Sequence, residues 1–138
     1  MSLPKAVKIV EVGPRDGLQN ESVSLDIETK VKLVQGLANA GLQNIEAGSF
    51  VSPKWVPQMA GSDEVFNQLT PTKAIYTALT PNMRGLERAI ECNVQEIAVF
   101  AAASAGGKRR CVVEKYGADF HSRVIRDTTT SHITTVRV

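Results

Sequence analysis

Arg15 and Asp16 stand side by side in the stretch KIVEVGPRDGLQNE, Lys8 to Glu21, where a short apolar run breaks off into a polar loop that also carries Gln19, Asn20 and Glu21. A guanidinium beside a carboxylate at the exit of a buried strand suits one kind of chemistry. The carboxylate can ligate a hard divalent cation, while the guanidinium faces negative charge developing on a carbonyl or carboxylate substrate. The same two residues would equally make a surface ion pair with no catalytic part. Which of these holds depends on the elements that present them.

Those elements follow from apolar periodicity. Ala6 to Val12 reads as a strand. Leu25 to Ala40 reads as a helix with Ile27, Val31, Val34, Leu37 and Ala38 at helical spacing, capped by Ser24 or Asp26 and ended by Gly41. Leu42 to Ala47 is a second strand. After a long loop with Pro53 and Pro57, Ser62 is placed to cap a short helix through Glu64, Val65, Phe66 and Leu69. Lys73 to Leu79 is a third strand, and Thr80-Pro81-Asn82 turns the chain. Leu86, Ala89 and Ile90 then line one face of a helix, and Val94 to Phe100 is a fourth strand. Strands alternating with helices, without hairpin signals, argue for a parallel α/β sheet built by right-handed crossovers.

Two architectures use such a sheet. A doubly wound nucleotide-binding fold needs a glycine-rich turn after its first strand, and Gly13 and Gly17 around Pro14-Arg15-Asp16 lack the GxGxxG spacing. A TIM (β/α)8 barrel instead gathers its active groups at the C-terminal ends of its strands. On that plan Arg15 and Asp16 follow strand one, Glu46 and Ser49 end strand two, Asn82 follows strand three and Ser104 follows strand four, all on one rim. The expected fold is a partial TIM barrel, its first four strands with intervening helices, followed by a divergent tail.

Composition narrows the setting. With 138 residues, 43% of them hydrophobic, the chain can bury a core and is not a disordered polypeptide. No apolar run approaches the ~18 residues that cross a bilayer, and MSLPKAVKIVEV lacks the pattern of a secretory signal, so a cytoplasmic protein with no membrane partner is expected. Cys92 and Cys111 have neither the number nor the spacing of a disulfide framework or zinc site and read as free thiols. Through Ser104 there are 9 Lys+Arg against 11 Asp+Glu, a net of −2; from Ala105 on, 7 against 3 gives +4, and the two sum to +2. The basic tail has no aromatic interleaving and no binding motif, so no nucleic-acid partner is expected.

Four segments together, VGPRDGLQNE, IEAGSFVSPKWVPQM, LTPN and VFAAAS, resemble the hydroxymethylglutaryl-CoA lyases of the DRE-TIM metallolyase group in order and spacing. The resemblance covers about residues 3–104 and implies metal-assisted cleavage of 3-hydroxy-3-methylglutaryl-CoA to acetyl-CoA and acetoacetate, with Mg2+ or Mn2+ as the ion and an acyl-CoA as the substrate. It places Arg15 as the catalytic arginine, Asp16 as a metal ligand and Glu46 as the acidic residue of the same pocket. Gln19, Ser49 and Ser104 follow as polar substrate contacts. Trp55 and Pro57 are expected to pack the second loop. A related Claisen synthase, of the isopropylmalate or homocitrate type, is the enzyme alternative, and SFVSPKWVPQM speaks for the lyases. The family's later His-x-His pair and Gly-Gly-Cys loop have no counterpart, since His121, His132 and Cys111 stand in unrelated contexts. The chain therefore reads as a truncated, inactive lyase, or a non-catalytic barrel fragment that associates with a second copy through its open edges.

Residues 105–138 are expected to be an out-of-frame or otherwise non-family extension, because resemblance and charge change together there. Reading the coding DNA across residues 100 to 110 checks this. One insertion or deletion near codon 105 should restore a family-like continuation; if none does, the frameshift origin is wrong.

Overall fold

Short β-rich segments bounded by helices build the centre of the molecule, three parallel strands: β1 (Asn44–Ser49), β2 (Ile75–Leu79) and β3 (Glu96–Phe100). The computed structural model describes residues 5–100 and the backbone of 133–137. Helices α1 (Ile27–Asn39), α2 (Ser62–Gln68) and α3 (Met83–Glu91) alternate with the strands. The sheet runs β1-β2-β3-β4, and β4 (Ile133–Arg137) lies antiparallel to β3. Among the described residues no helix is long and apolar enough to cross a membrane.

The expected first strand is much reduced. Over residues 5–12 it makes one parallel bridge, Glu11 to Ile45, in which the Glu11 amide donates to the Asn44 carbonyl at 2.9 Å and the Glu46 amide to the Glu11 carbonyl at 2.8 Å. Val7 and Ile9 are exposed, so the segment gains pairing on one side and little burial from its outward side chains. The β-branched end of the tail forms β4, paired along β3 from Glu96 to Phe100. Ser104, Cys111, His121 and His132 lie outside the described residues.

Val34, Ile45, Ala78, Leu86 and Ile97 fill the core between helices and sheet. Phe50, just past β1, stacks on Phe66 of α2 at 5.8 Å between ring centroids. Arg88 of α3 lies 5.4 Å above the Phe50 ring and pairs with Asp63 of α2 at 3.2 Å, so α3 and α2 meet over the start of the β1 loop. Gly85 lets α3 approach, since a Cβ there would come within 2.9 Å of the Phe50 carbonyl.

Capping follows the sequence at α1, departs from it at α2, and at α3 falls to Asn82, which the sequence alone places only in a turn. Asp26, rather than Ser24, caps α1 by accepting from the Thr29 amide at 2.7 Å, and Asn82 caps α3 by accepting from the Gly85 amide at 2.9 Å. Ser62 does not cap α2. The cap position is Gly61, whose φ of +76° suits glycine and whose missing Cβ leaves room for Ile27. The Ser62 hydroxyl instead donates to the Met59 carbonyl and accepts the Ser49 amide.

The Thr29 amide holds the Asp26 carboxyl below the usual carboxylate range. A depressed carboxyl pKa contributes stability that is present above its unfolded value and lost as pH falls through the folded one. Asp26→Ala should therefore lower the thermal midpoint at neutral pH, and its difference from the parent chain should close under strong acid; melting curves across pH check this.

Candidate active site

Val12 ends the first segment, and its carbonyl takes up the turn that follows. It accepts from the amides of Arg15 at 3.1 Å, Asp16 at 2.7 Å and Gly17 at 3.4 Å, winding Gly13–Gly17 into one wide π-type turn with Pro14 near its start. Gly13 leaves room for the Glu11 carboxylate to accept its amide, since a Cβ would sit 2.7 Å from that oxygen and make the side chain shift. The turn directs Arg15 inward and leaves Asp16 at the surface: their side chains are 9% and 54% exposed.

Glu46 meets Arg15 from β1. It is buried in the middle of the strand, and its Oε1 accepts from Arg15 Nε. Arg15 Nη1 also donates to Asp16 Oδ1 at 2.8 Å. The Nη2 group has no partner among the described residues. The guanidinium is thus held through Nε and Nη1, on two different sides, by two carboxylates, with the Nη2 donors left to meet an anionic oxygen.

The other expected site residues divide. Ser49 is on the same strand and buried, but its amide donates to Ser62 and its hydroxyl to the Leu79 carbonyl at 3.4 Å, so it is built into the join between β1 and β2. A bulge between Glu46 and Gly48 sets this geometry, and Gly48 gives the Ser62 side chain room to approach. Gln19 is half-buried one turn beyond Asp16, and its side chain has no hydrogen bond among the described residues. The structure brings Arg15, Asp16 and Glu46 into direct contact, with Gln19 in the segment after Asp16 and Ser49 at the end of β1, while Ser104 lies outside the described residues.

Trp55 corrects the sequence reading. It is 83% exposed rather than packed, because Phe50 and Met59 at the two ends of the loop supply its buried apolar anchors. Lys30 was missed altogether: it is buried on α1, and its Nζ donates to the carbonyls of Gln58 at 2.7 Å and Ala60 at 3.1 Å. Its position four residues before Val34, on the apolar stripe of α1, is the signal that would have found it.

The chain is similar to proteins of one family. The HMGL-like family model matches residues 6–132. A 3-hydroxy-3-isohexenylglutaryl-CoA/hydroxymethylglutaryl-CoA lyase of Pseudomonas aeruginosa is 57% identical over 111 residues, 80% of this chain and 37% of that protein. The crystal structure of hydroxymethylglutaryl-CoA lyase from Pseudomonas aeruginosa superposes with a TM-score of 0.69 at 59% identity, over 75% of this chain and 35% of that one. An HMG-CoA lyase of Acinetobacter baumannii, solved with coenzyme A and 3-methylmalate, gives 0.67 at 44% identity over 69% of this chain and 32% of that one. The chain spans roughly a third of the length of the curated relatives it matches.

The buried pair gives a measurable expectation. Arg15→Met leaves the Glu46 carboxylate buried without its cation, which should cost about 3 kcal/mol. Arg15→Met with Glu46→Leu removes both charges and should recover most of that loss. Urea unfolding of the two variants and the parent chain reads the difference.

Proposed function

Because the chain belongs to the HMGL-like family, we propose that it is the N-terminal part of a hydroxymethylglutaryl-CoA lyase and carries that enzyme's enolate-stabilising arginine. One observation supports this most: Arg15 is buried at the end of the first segment, braced by Glu46, with its Nη2 edge unpartnered among the described residues. The substrate on this reading is 3-hydroxy-3-methylglutaryl-CoA, and the coenzyme A held by the Acinetobacter neighbour is in keeping with an acyl-CoA.

The step is a retro-Claisen cleavage. A base removes the hydroxyl proton, the oxygen forms a carbonyl as the adjacent C–C bond breaks, and the electron pair moves to the thioester oxygen of the departing acetyl-CoA enolate. Protonation at carbon then completes the products, acetoacetate and acetyl-CoA. Arg15 holds donors where that enolate oxygen becomes negative, and because Glu46 fixes the guanidinium beforehand, little reorganisation accompanies the charge shift. Gln19 and Ser49 are our candidates for contacts with the polar parts of the substrate.

Asp16 is our candidate ligand for the Mg2+ or Mn2+ that the resemblance implies; such an ion would polarise the substrate oxygens. The described residues do not complete its shell. Asp16 offers one carboxylate already shared with Arg15, Glu46 is engaged by Arg15, and no group of three or more His, Cys, Asp or Glu side chains gathers among the described residues. No step here runs through the ion. A site in this fold draws on the ends of several strands, so a third of the barrel carries only part of it. We therefore read the described residues as carrying part of the site and not the whole of it.

An assay for acetyl-CoA release checks both halves of the reading. This chain should show no turnover. Residues 1–104 joined to the remaining two-thirds of the Pseudomonas aeruginosa relative should turn over, and Arg15→Gln in that chimera should lower kcat on the order of 100-fold or more. A folded but inactive chimera, or one indifferent to Arg15, defeats the proposal.

A further inference from the structure

Lys30 occupies a position that an apolar residue would fill more cheaply. It and Val34 are the buried residues of α1, on one stripe of the helix, so an ammonium sits where the periodicity calls for core. Lysine is rarely buried to this degree without compensation. The compensation here is main chain: Lys30 Nζ donates to the carbonyls of Gln58 and Ala60, and it forms no salt bridge with the described residues. Those carbonyls belong to the short 3-10 turn Pro57–Met59 and to Ala60 just after it, main-chain acceptors that a lysine can satisfy where the turn ends.

From this geometry we propose that Lys30 is a positioning residue for the loop between β1 and α2, fixing its return limb and thereby the Ser52–Val56 apex with its exposed Trp55. The loop is the SFVSPKWVPQM segment that leaves β1 directly beyond Glu46 and Ser49. Its outgoing limb is anchored by buried Phe50, whose amide donates to the Leu79 carbonyl. Its return limb holds few apolar anchors besides Met59, and there the contacts are polar. Beyond Lys30, Gln58 donates to the Glu21 carbonyl at 3.0 Å, tying the loop to the segment after Arg15 and Asp16. Ser62 carries the restraint on to the Ser49 amide. The apex turns on the Ser52 carbonyl alone, which accepts the amides of Trp55 and Val56. Held at both ends, it projects Trp55 into solvent without packing it. Burial pulls the Lys30 ammonium below the ordinary lysine range, partly offset by Asp26, in keeping with a cation held in a largely desolvated cleft. What the loop serves rests on the lyase reading; that Lys30 holds it does not.

Trp55 is the only tryptophan of the chain, so its fluorescence reports the apex directly and without substrate. Time-resolved anisotropy and acrylamide quenching on the whole 138-residue chain compare Lys30→Met, Lys30→Arg and Val34→Ala. Lys30→Met should raise the amplitude of Trp55's local motion about twofold, as expected when a restraint on a surface loop is released. Lys30→Arg, which keeps a cation with donors for both carbonyls, should restore the parent value. Val34→Ala removes core packing from the same stripe of α1 and should leave Trp55 unchanged while lowering the thermal midpoint. If Lys30→Met does not fold by circular dichroism, Lys30→Gln is read in its place, with a smaller increase expected. A Trp55 signal that ignores the loss of the ammonium, that Arg fails to restore, or that moves as far in Val34→Ala overturns the proposal. A lyase chimera lacking activity would leave it untouched.

Discussion

Arg15 holds the N-terminal segment to the sheet. With one bridge to β1, residues 5–12 have little ladder to keep them in register, and ion pairs at two levels take over. Arg15 reaches Glu46 of β1, and Lys8 reaches Glu96 of β3 at 2.8 Å. Thr77 of β2 is the register partner of both glutamates, so the three lie in one row across the sheet, all buried. Burying such charges adds little over an apolar core, but losing one partner is costly. The arrangement tolerates few alternatives, and the guanidinium whose position it specifies is the one with donors left over for chemistry.

The legible parts of this structure were those written in local rules. The three parallel strands, the Asp26 cap and the turn at Gly41 all follow from residues near one another in the chain. The Arg15, Asp16 and Glu46 cluster was legible for a different reason, since a parallel sheet sets the loop leaving one strand beside the next strand, and the motifs resembled a family that uses these residues. Illegible were features decided by distant partners. Residues 6–12 have strand composition but gain burial only where something covers Val7 and Ile9. Trp55 has the composition of a packing residue, yet two other residues had already filled the apolar anchors of its loop. Lys30 looks like a surface lysine until the carbonyls of Gln58 and Ala60 are placed above it.

The two loops that meet at the rim are stitched to each other as well as to the sheet. Gln58 bonds to the chain at Glu21, Ser62 to Ser49, and Lys30 to the limb between them. Main-chain groups do much of this work, which leaves the side chains at the loop tips free to vary without loosening the scaffold. Such a division suits a fold in which rim loops change chemistry while strands and helices hold the frame.

The antiparallel strand β4 has a consequence for the chain in a crowded solution. An incomplete barrel presents the backbone of its last parallel strand as a template on which a second molecule can polymerise. Here the chain's own end, ITTVR, spends those amides and carbonyls from Glu96 to Phe100 on itself. The border then passes to ITTVR, on which Arg137 places one charge. The parallel ladder thus ends on an antiparallel strand, and β3 has a neighbour on both sides.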